Sequence, residues 1–417
     1  MMDAATRDFI ETHLNDDVRR LALTKFPENV DKTFVLNQIE ARQHLSKKVP
    51  SWAANPDLLY PKHLSIEQCS SEITAKYKAS IISEGEVFVD LTGGLGIDSY
   101  FLSEKFKEAY YVENQKELCD LAEHNFSVLG RKITVVNSDA ETFLDNCNGS
   151  KQSISPDLVF IDPARRDIYN RKMVSLHDCS PDVVDLIEKY GKTSLRNATI
   201  LIKLSPMLDI SKIVSELKGI IEIHIVAVKN ECKEVLVLLR QGYEGEPLVI
   251  STELRPNGEG YGDVSTASAF SVAEKISFKF NESEEKSAAP TFASTIKKYL
   301  YEPGAALMKA GAFKLVSQRF GIDKLHNNSH LYTSDNLISD FPGRVFEVVE
   351  SASFNKKVKK ELLKDVAEAS VAVRNFPLTA NDLRKSLNLK ESDDTFIFGT
   401  TMMGEKKVVI LCKKYKE

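Results

Sequence analysis

Between Glu86 and Arg240 short apolar runs alternate with stretches long enough for a helix, and this alternation limits the possible folds more than any other feature. The runs are Val87-Phe-Val-Asp90, Ala109-Tyr-Tyr-Val112, Ile133-Thr-Val-Val136, Leu158-Val-Phe-Ile161 and Thr199-Ile-Leu-Ile202, all dominated by β-branched, aromatic and aliphatic residues. Ile97 to Phe106 and Lys116 to Leu129 fit helices between them. Strands apolar on both faces and joined by helices predict a parallel sheet covered on each side. The last two runs, Glu222 to Val228 and Val235 to Leu239, are separated by only six residues. A link that short cannot make a crossover, so this pair is expected to be antiparallel. The predicted class is therefore α/β, with a Rossmann-like, mostly parallel sheet closed by an antiparallel last strand. That is the layout of class I methyltransferases and is less natural for a symmetric dinucleotide-binding fold.

The flanks read differently. Phe9-Ile10, Leu14, Val18 and Leu21 recur at helical spacing, and Ser65 to Ile82 contains neither Gly nor Pro, so the N-terminal region is expected to be helical. After Arg240 glycines and prolines punctuate short strand candidates, Leu248 to Thr252 and Lys275 to Phe280. The polar run Asn281 to Ser287 reads as a turn or linker. Helices over Lys356 to Ala372 and Asp382 to Leu387, with strands at Thr395 to Phe398 and Val408 to Leu411, complete one or two α+β modules. At 417 residues, two or three domains are expected.

Composition narrows the setting. No stretch of 18 apolar residues occurs, and the N-terminus lacks a secretory pattern, so a cytoplasmic protein without a membrane partner is expected. The six cysteines, Cys69, Cys119, Cys147, Cys179, Cys232 and Cys412, form no C-x-x-C pair. They read as reduced thiols, and no metal site is expected. The formal charge of −5 is uneven: from Ile296 onward 21 Lys and Arg face 15 Asp and Glu, a local +6 that leaves −11 for the rest. A basic module joined to an acidic one suits a polyanionic substrate, although a solvated surface gives the same excess.

The chemistry is expected at the strand ends. Asp90 leads into Thr92-Gly93-Gly94-Leu95-Gly96, a turn that lets backbone amides approach a ligand closely. Glu113 follows the second strand, where an acid can accept hydrogen bonds from ribose hydroxyls. Asp139, followed by Ala140, comes after the third strand, where a carboxylate can meet an adenine amino group. Together these residues suit S-adenosylmethionine. A dehydrogenase would also want an acid after the second strand, but it would want a glycine near Ser99 and offers no role for Asp139. Glu113 and Asp139 also fit a plainer role, capping the helices that follow.

The fourth strand runs into Asp162-Pro163-Ala164-Arg165-Arg166. An acid followed by proline at this place suits an exocyclic amine acceptor, held while its lone pair attacks a methyl group. The usual second proline and aromatic are replaced by Ala164 and Arg165, which leaves the acceptor atom open. Lys203 and Ser205, at the end of the fifth strand, are candidates to line the pocket. Arg166 is a candidate for substrate phosphates, or for a structural pair with Asp167 or Asp178. Neither loop holds a cysteine, which argues against a cysteine nucleophile.

The run Glu67-Gln-Cys-Ser-Ser-Glu-Ile-Thr-Ala-Lys-Tyr-Lys78, with Asp90 to Asp98, Asp162 to Arg166 and Lys203 to Pro206, resembles the bacterial THUMP-like-domain class I methyltransferases. Tyr301-Glu-Pro-Gly304, Leu331-Tyr-Thr-Ser334, Phe341-Pro-Gly-Arg344 and Asn375-Phe-Pro-Leu-Thr379 extend the resemblance from about Ser65 to the end. It implies a helical region over 1–84, a methyltransferase domain over 85–241, a ferredoxin-like segment over 242–330 and a THUMP-like domain over 331–417. It also implies an RNA substrate, transfer or ribosomal. The other readings are a protein or small-molecule acceptor, or an RNA-binding module without turnover.

Overall fold

The computed structural model describes residues 2–61, 69–149, 154–165, 175–255, 274–355, 358, 362–364 and 366–415. It divides into two compact units, Met1–Glu222 with Val235–Gly245, and Ile223–Glu234 with Glu246–Glu417.

The first unit begins with helices, among them Ala4–Thr12 and Lys32–Lys48, each started by an aspartate, Asp3 or Asp31, whose side chain accepts a first-turn N–H. Helix Glu72–Ile81 starts at Ser71, later than the unpunctuated sequence suggested. Five parallel strands of the sheet then follow: β1 (Gly85–Asp90), β2 (Phe106–Glu113), β3 (Thr134–Asn137), β4 (Leu158–Ile161), and, after a two-residue ribbon of β5 (Ala164–Arg165) and β6 (Cys179–Ser180), β7 (Thr199–Leu204). β8 (Ile220–Val228) leads to β9 (Glu231–Arg240). Within this unit the order is β3-β2-β1-β4-β7-β9, parallel throughout except for β9.

The expected antiparallel ending is therefore present. Its strands run further than the apolar pattern did, leaving only Lys229 and Asn230 to turn the chain, both at positive φ (54° and 58°). Two central residues in that region match the twist of a tight hairpin, and asparagine tolerates it. The four residues of β4 are all buried, as strands covered on both faces must be.

The second unit carries β10 (Leu248–Arg255) beside β11 (Glu274–Phe280), antiparallel. Its larger sheet has β12 (Tyr299–Pro303), β13 (Asp323–Lys324), β14 (Tyr332–Ser334), β15 (Gly343–Ser353), β16 (Ser370–Arg374), β17 (Thr395–Met402) and β18 (Lys406–Lys414), in the order β13-β14-β12-β15-β18-β17-β16.

Two expectations fail here. Asn281 to Ser287 is not a linker: Glu282–Ser287 is helical, started by a reciprocal capping box between Asn281 and Glu284. The helix expected to reach Ala372 does not, because Ser370–Arg374 is a strand paired in parallel with β17. Val371 and Val373 suit a strand, and pairing with a formed neighbour outweighs weak helical periodicity. Most of 356–365 lies outside the described residues.

Candidate active site

The parallel strands β1, β2, β3, β4 and β7 deliver the candidate residues at their C-terminal ends, where ligands of open α/β sheets bind. Asp90 closes β1 and is buried. One carboxylate oxygen accepts the Thr92 N–H at 2.9 Å, and the other accepts the Ser99 hydroxyl. Burial pushes its carboxyl up to about 7 from an ordinary value near 3.8. An acid raised in this way holds its proton in the folded state at a pH where the unfolded chain has released it. Stability therefore falls as pH rises from about 4 to about 7 and levels off above. We expect the melting temperature of the ligand-free protein, relative to Asp90→Asn, to fall across that window. A difference that does not change with pH would refute the assignment.

The glycine turn is shaped by its neighbours. Gly93 donates to the Val112 carbonyl at 2.9 Å. A Cβ on Gly93 would meet the ring of Tyr111 at 2.3 Å. Tyr111 is fully buried and donates its hydroxyl to the Gly94 carbonyl at 2.6 Å, so the ring cannot retreat. Gly96 sits at φ 82° in the left-handed region and starts helix Ile97–Leu102. Gly93→Ala is expected to displace the turn and cut cofactor affinity by at least about tenfold, a loss of ~1.4 kcal/mol. Titration calorimetry would read this, and unchanged affinity would show that the turn is not the cofactor cradle.

Glu113 closes β2, and both of its carboxylate oxygens are engaged. Gly94 N–H reaches Oε2 at 3.0 Å and Gln115 N–H reaches Oε1 at 2.9 Å. It thus serves the glycine turn and the start of the next helix together, while an ionised carboxylate keeps further lone pairs for a ligand hydroxyl. Asp139 also makes the bonds of the plainer role. It accepts the Thr142 N–H at 2.7 Å and the Thr142 hydroxyl at 2.9 Å, which caps the helix beginning at Ala140. These bonds, the backbone one foremost, hold its carboxyl below the usual range.

After β4 the chain enters the candidate reaction loop. Asp162 donates its N–H to the Thr92 hydroxyl at 2.7 Å, tying this loop to the glycine turn. Its carboxylate forms an ion pair with Lys203, at the end of β7. Lys203 is largely buried and Asp162 about one-third exposed (13% and 34%). Ala164 and Arg165 pair with Ser180 and Cys179 in the short ribbon, which accounts for the missing second proline. A proline there would put a residue without an N–H into the ladder. Pro163 is half-buried at the mouth of the loop, and Ser205 accepts the Met207 N–H at 3.3 Å. Arg166 lies outside the described residues.

Sequence reasoning missed what supports the turn from the N-terminal side. Lys78 is completely buried, and its Nζ lies 3.2 Å from Asp98, two residues past Gly96. Ser70 completes the cluster, donating to Asp98 at 2.6 Å and accepting from Lys78 at 3.1 Å. Ser70 and Lys78 both lie in the run Glu67–Lys78 that carried the resemblance, but their partner Asp98 is distant in sequence. Cys69 lies within electrostatic reach of Lys48, Asp98 and Lys203, yet burial pushes its thiol up, away from the nucleophilic thiolate.

A glycine turn and four carboxylates gathered at the ends of a parallel sheet with an antiparallel β9 define an α/β domain of the class I methyltransferase type. Family models match residues 299–342 as a ferredoxin-like domain and 343–414 as THUMP domain-like. The crystal structure of a "putative methyltransferase" from Porphyromonas gingivalis W83 is 34% identical over 100% of both chains, with a TM-score of 0.83. The chain belongs to the THUMP-like-domain class I methyltransferase family. Fainter likenesses include M. capricolum TrmK in complex with S-adenosylhomocysteine, 12% identical over 41% of this chain and 68% of that one, TM-score 0.31. A Streptococcus thermophilus rRNA methylase is 15% identical over 42% of this chain and 98% of its own, TM-score 0.28. None of the curated proteins matches this sequence.

Proposed function

We propose that this protein transfers a methyl group from S-adenosylmethionine to a nucleobase of RNA. The observation that carries the reading is the 2.7 Å bond from Asp162 N–H to the Thr92 hydroxyl, which fastens the acceptor loop to the cofactor turn. Family membership with a methyltransferase supports the reaction class.

The residues fit the cofactor. A Cβ on Gly93 would strike the Tyr111 ring, so only glycine lets the turn lie this close to β2, and the Gly94 N–H is bonded to the Glu113 carboxylate beside it. Asp90, Thr92, Gly93, Gly94, Gly96 and Glu113 would hold it, with Asp139 and Ala140 at the adenine end. S-adenosylmethionine, when bound, supplies a methyl group on a sulfonium that an electron-rich atom can attack. The protein's task is then positioning. Asp162 accepts a hydrogen bond from the acceptor, Lys203 fixes the Asp162 carboxylate, and Pro163 with Arg165 shapes the loop. Ser205 and Arg166 complete the substrate side.

What supports an RNA acceptor is the THUMP domain-like match over residues 343–414 and the local charge of +6 from Ile296 onward. No helix among the described residues is long and apolar enough to cross a membrane. The reading is tested by digesting transfer and ribosomal RNA from strains with and without the gene and comparing nucleosides by mass spectrometry. One methylated nucleoside should vanish and return with the intact gene. Identical nucleoside profiles would reject an RNA substrate.

A further inference from the structure

Two of the C-terminal motifs, and the residue just before a third, meet at one point that the methyl-transfer chemistry leaves unused. Glu302, in β12, is 2% exposed, and Arg344 stands opposite it in register on β15. Arg344 donates Nε to Oε2 of Glu302 at 2.8 Å, and its Nη2 reaches the same oxygen. Arg374, the last residue of β16, donates Nη2 to Oε1 at 2.6 Å and Nη1 to the Val373 carbonyl at 2.8 Å. A buried carboxylate needs one guanidinium for neutrality, and this one holds two.

Arg344 also lies over the Phe346 and Phe396 rings, 5.4 and 6.0 Å from their centres, without being closed off from water. The Arg344 and Arg374 side chains keep 34% and 37% of their surface exposed. Among the described residues no acceptor meets Nη1 of Arg344 or Nε of Arg374. His330 is pushed down to about 4, first by burial and then by the cations Lys324 and Arg374. The nearby acid Glu405 is engaged with Lys407 and His326.

We propose that Arg344 and Arg374, set in place by Glu302, form a seat for a phosphodiester of the RNA strand. This rests on the RNA reading above. The donors left unused, Nη1 of Arg344 and Nε of Arg374, sit on guanidinium groups already held by Glu302, so they lose little entropy on meeting phosphate oxygens. The carboxylate beneath them acts as a positioning residue and keeps the pair from diverging.

The test is filter binding of labelled bulk transfer RNA to the full chain across a salt series. Arg374→Gln is expected to weaken binding by about tenfold and to make the salt slope shallower by about one unit, with Arg374→Lys recovering the slope better than the affinity. Arg344→Gln alone would leave Glu302 half-paired, so Glu302→Gln with Arg344→Gln removes both charges together and should show a similar loss. Melting curves identify any variant that loses its fold. If the wild type binds and the Arg374→Gln protein matches it in affinity and slope, the seat is refuted while the RNA reading stands. A weaker affinity with an unchanged slope assigns a purely structural role and also overturns it. A wild type that ignores RNA at all salts defeats the RNA reading itself.

Discussion

Asp162→Ala is expected to lower methyl transfer by about 10³-fold while leaving S-adenosylmethionine affinity within a few-fold. The split follows from where its atoms point. The backbone N–H of Asp162 holds the Thr92 hydroxyl at 2.7 Å, and that bond survives the substitution. The carboxylate is one-third exposed and is oriented by its ion pair with Lys203. Removing it takes away the hydrogen-bond acceptor proposed to place the substrate and leaves the bond to the glycine turn as it is. Lys203→Met should give a smaller loss in kcat, because Asp162 remains but is no longer fixed. Single-turnover rates with calorimetric cofactor affinities would check both. A variant at Asp162 with the wild-type rate contradicts its assignment, and one that loses cofactor affinity in proportion to rate moves it to the cofactor side.

The largest effect on stability is expected from Lys78→Met, at about 3–5 kcal/mol. Lys78 is fully buried, and Asp98, whose side chain is 9% exposed, has Lys78 and Ser70 for partners. Taking the ammonium away leaves a carboxylate desolvated beside a neutral hydroxyl. The double variant Lys78→Met with Asp98→Leu should recover much of the loss, since replacing both members of a buried pair by apolar groups is often close to neutral. Because Asp98 lies on the helix that Gly96 starts, the single variant should also weaken cofactor binding. Urea unfolding of the three proteins gives the comparison. A single variant within 1 kcal/mol of wild type, by that order-of-magnitude scale, would remove the ion pair from the account.

How much of this was legible in the sequence depended on the range of the interaction. The strand ends were readable because a βα repeat writes itself locally: four apolar residues, a turn, a helix. Asp90, Glu113, Asp139 and Asp162 therefore fell where the pattern put them. The missing second proline was visible as a departure, but its cause, the pairing of Ala164 with Ser180, lies sixteen residues further on. Tyr111 read as one more strand residue, and only packing reveals it as the floor beneath Gly93. The helix at Glu282–Ser287 carried a readable signal, Asn281 with Glu284 three positions on, which polarity obscured. Ser370–Arg374 carried none that is local, since its strand state comes from β17 beside it.

The most direct measurement of the central claim uses labelled S-adenosylmethionine, the purified full chain, and total RNA from a strain lacking the gene. The account predicts that methyl label enters RNA, that RNA from the parent strain accepts far less, and that Asp162→Ala protein transfers almost none. Label that appears only in protein or a small acceptor, or not at all, would contradict it.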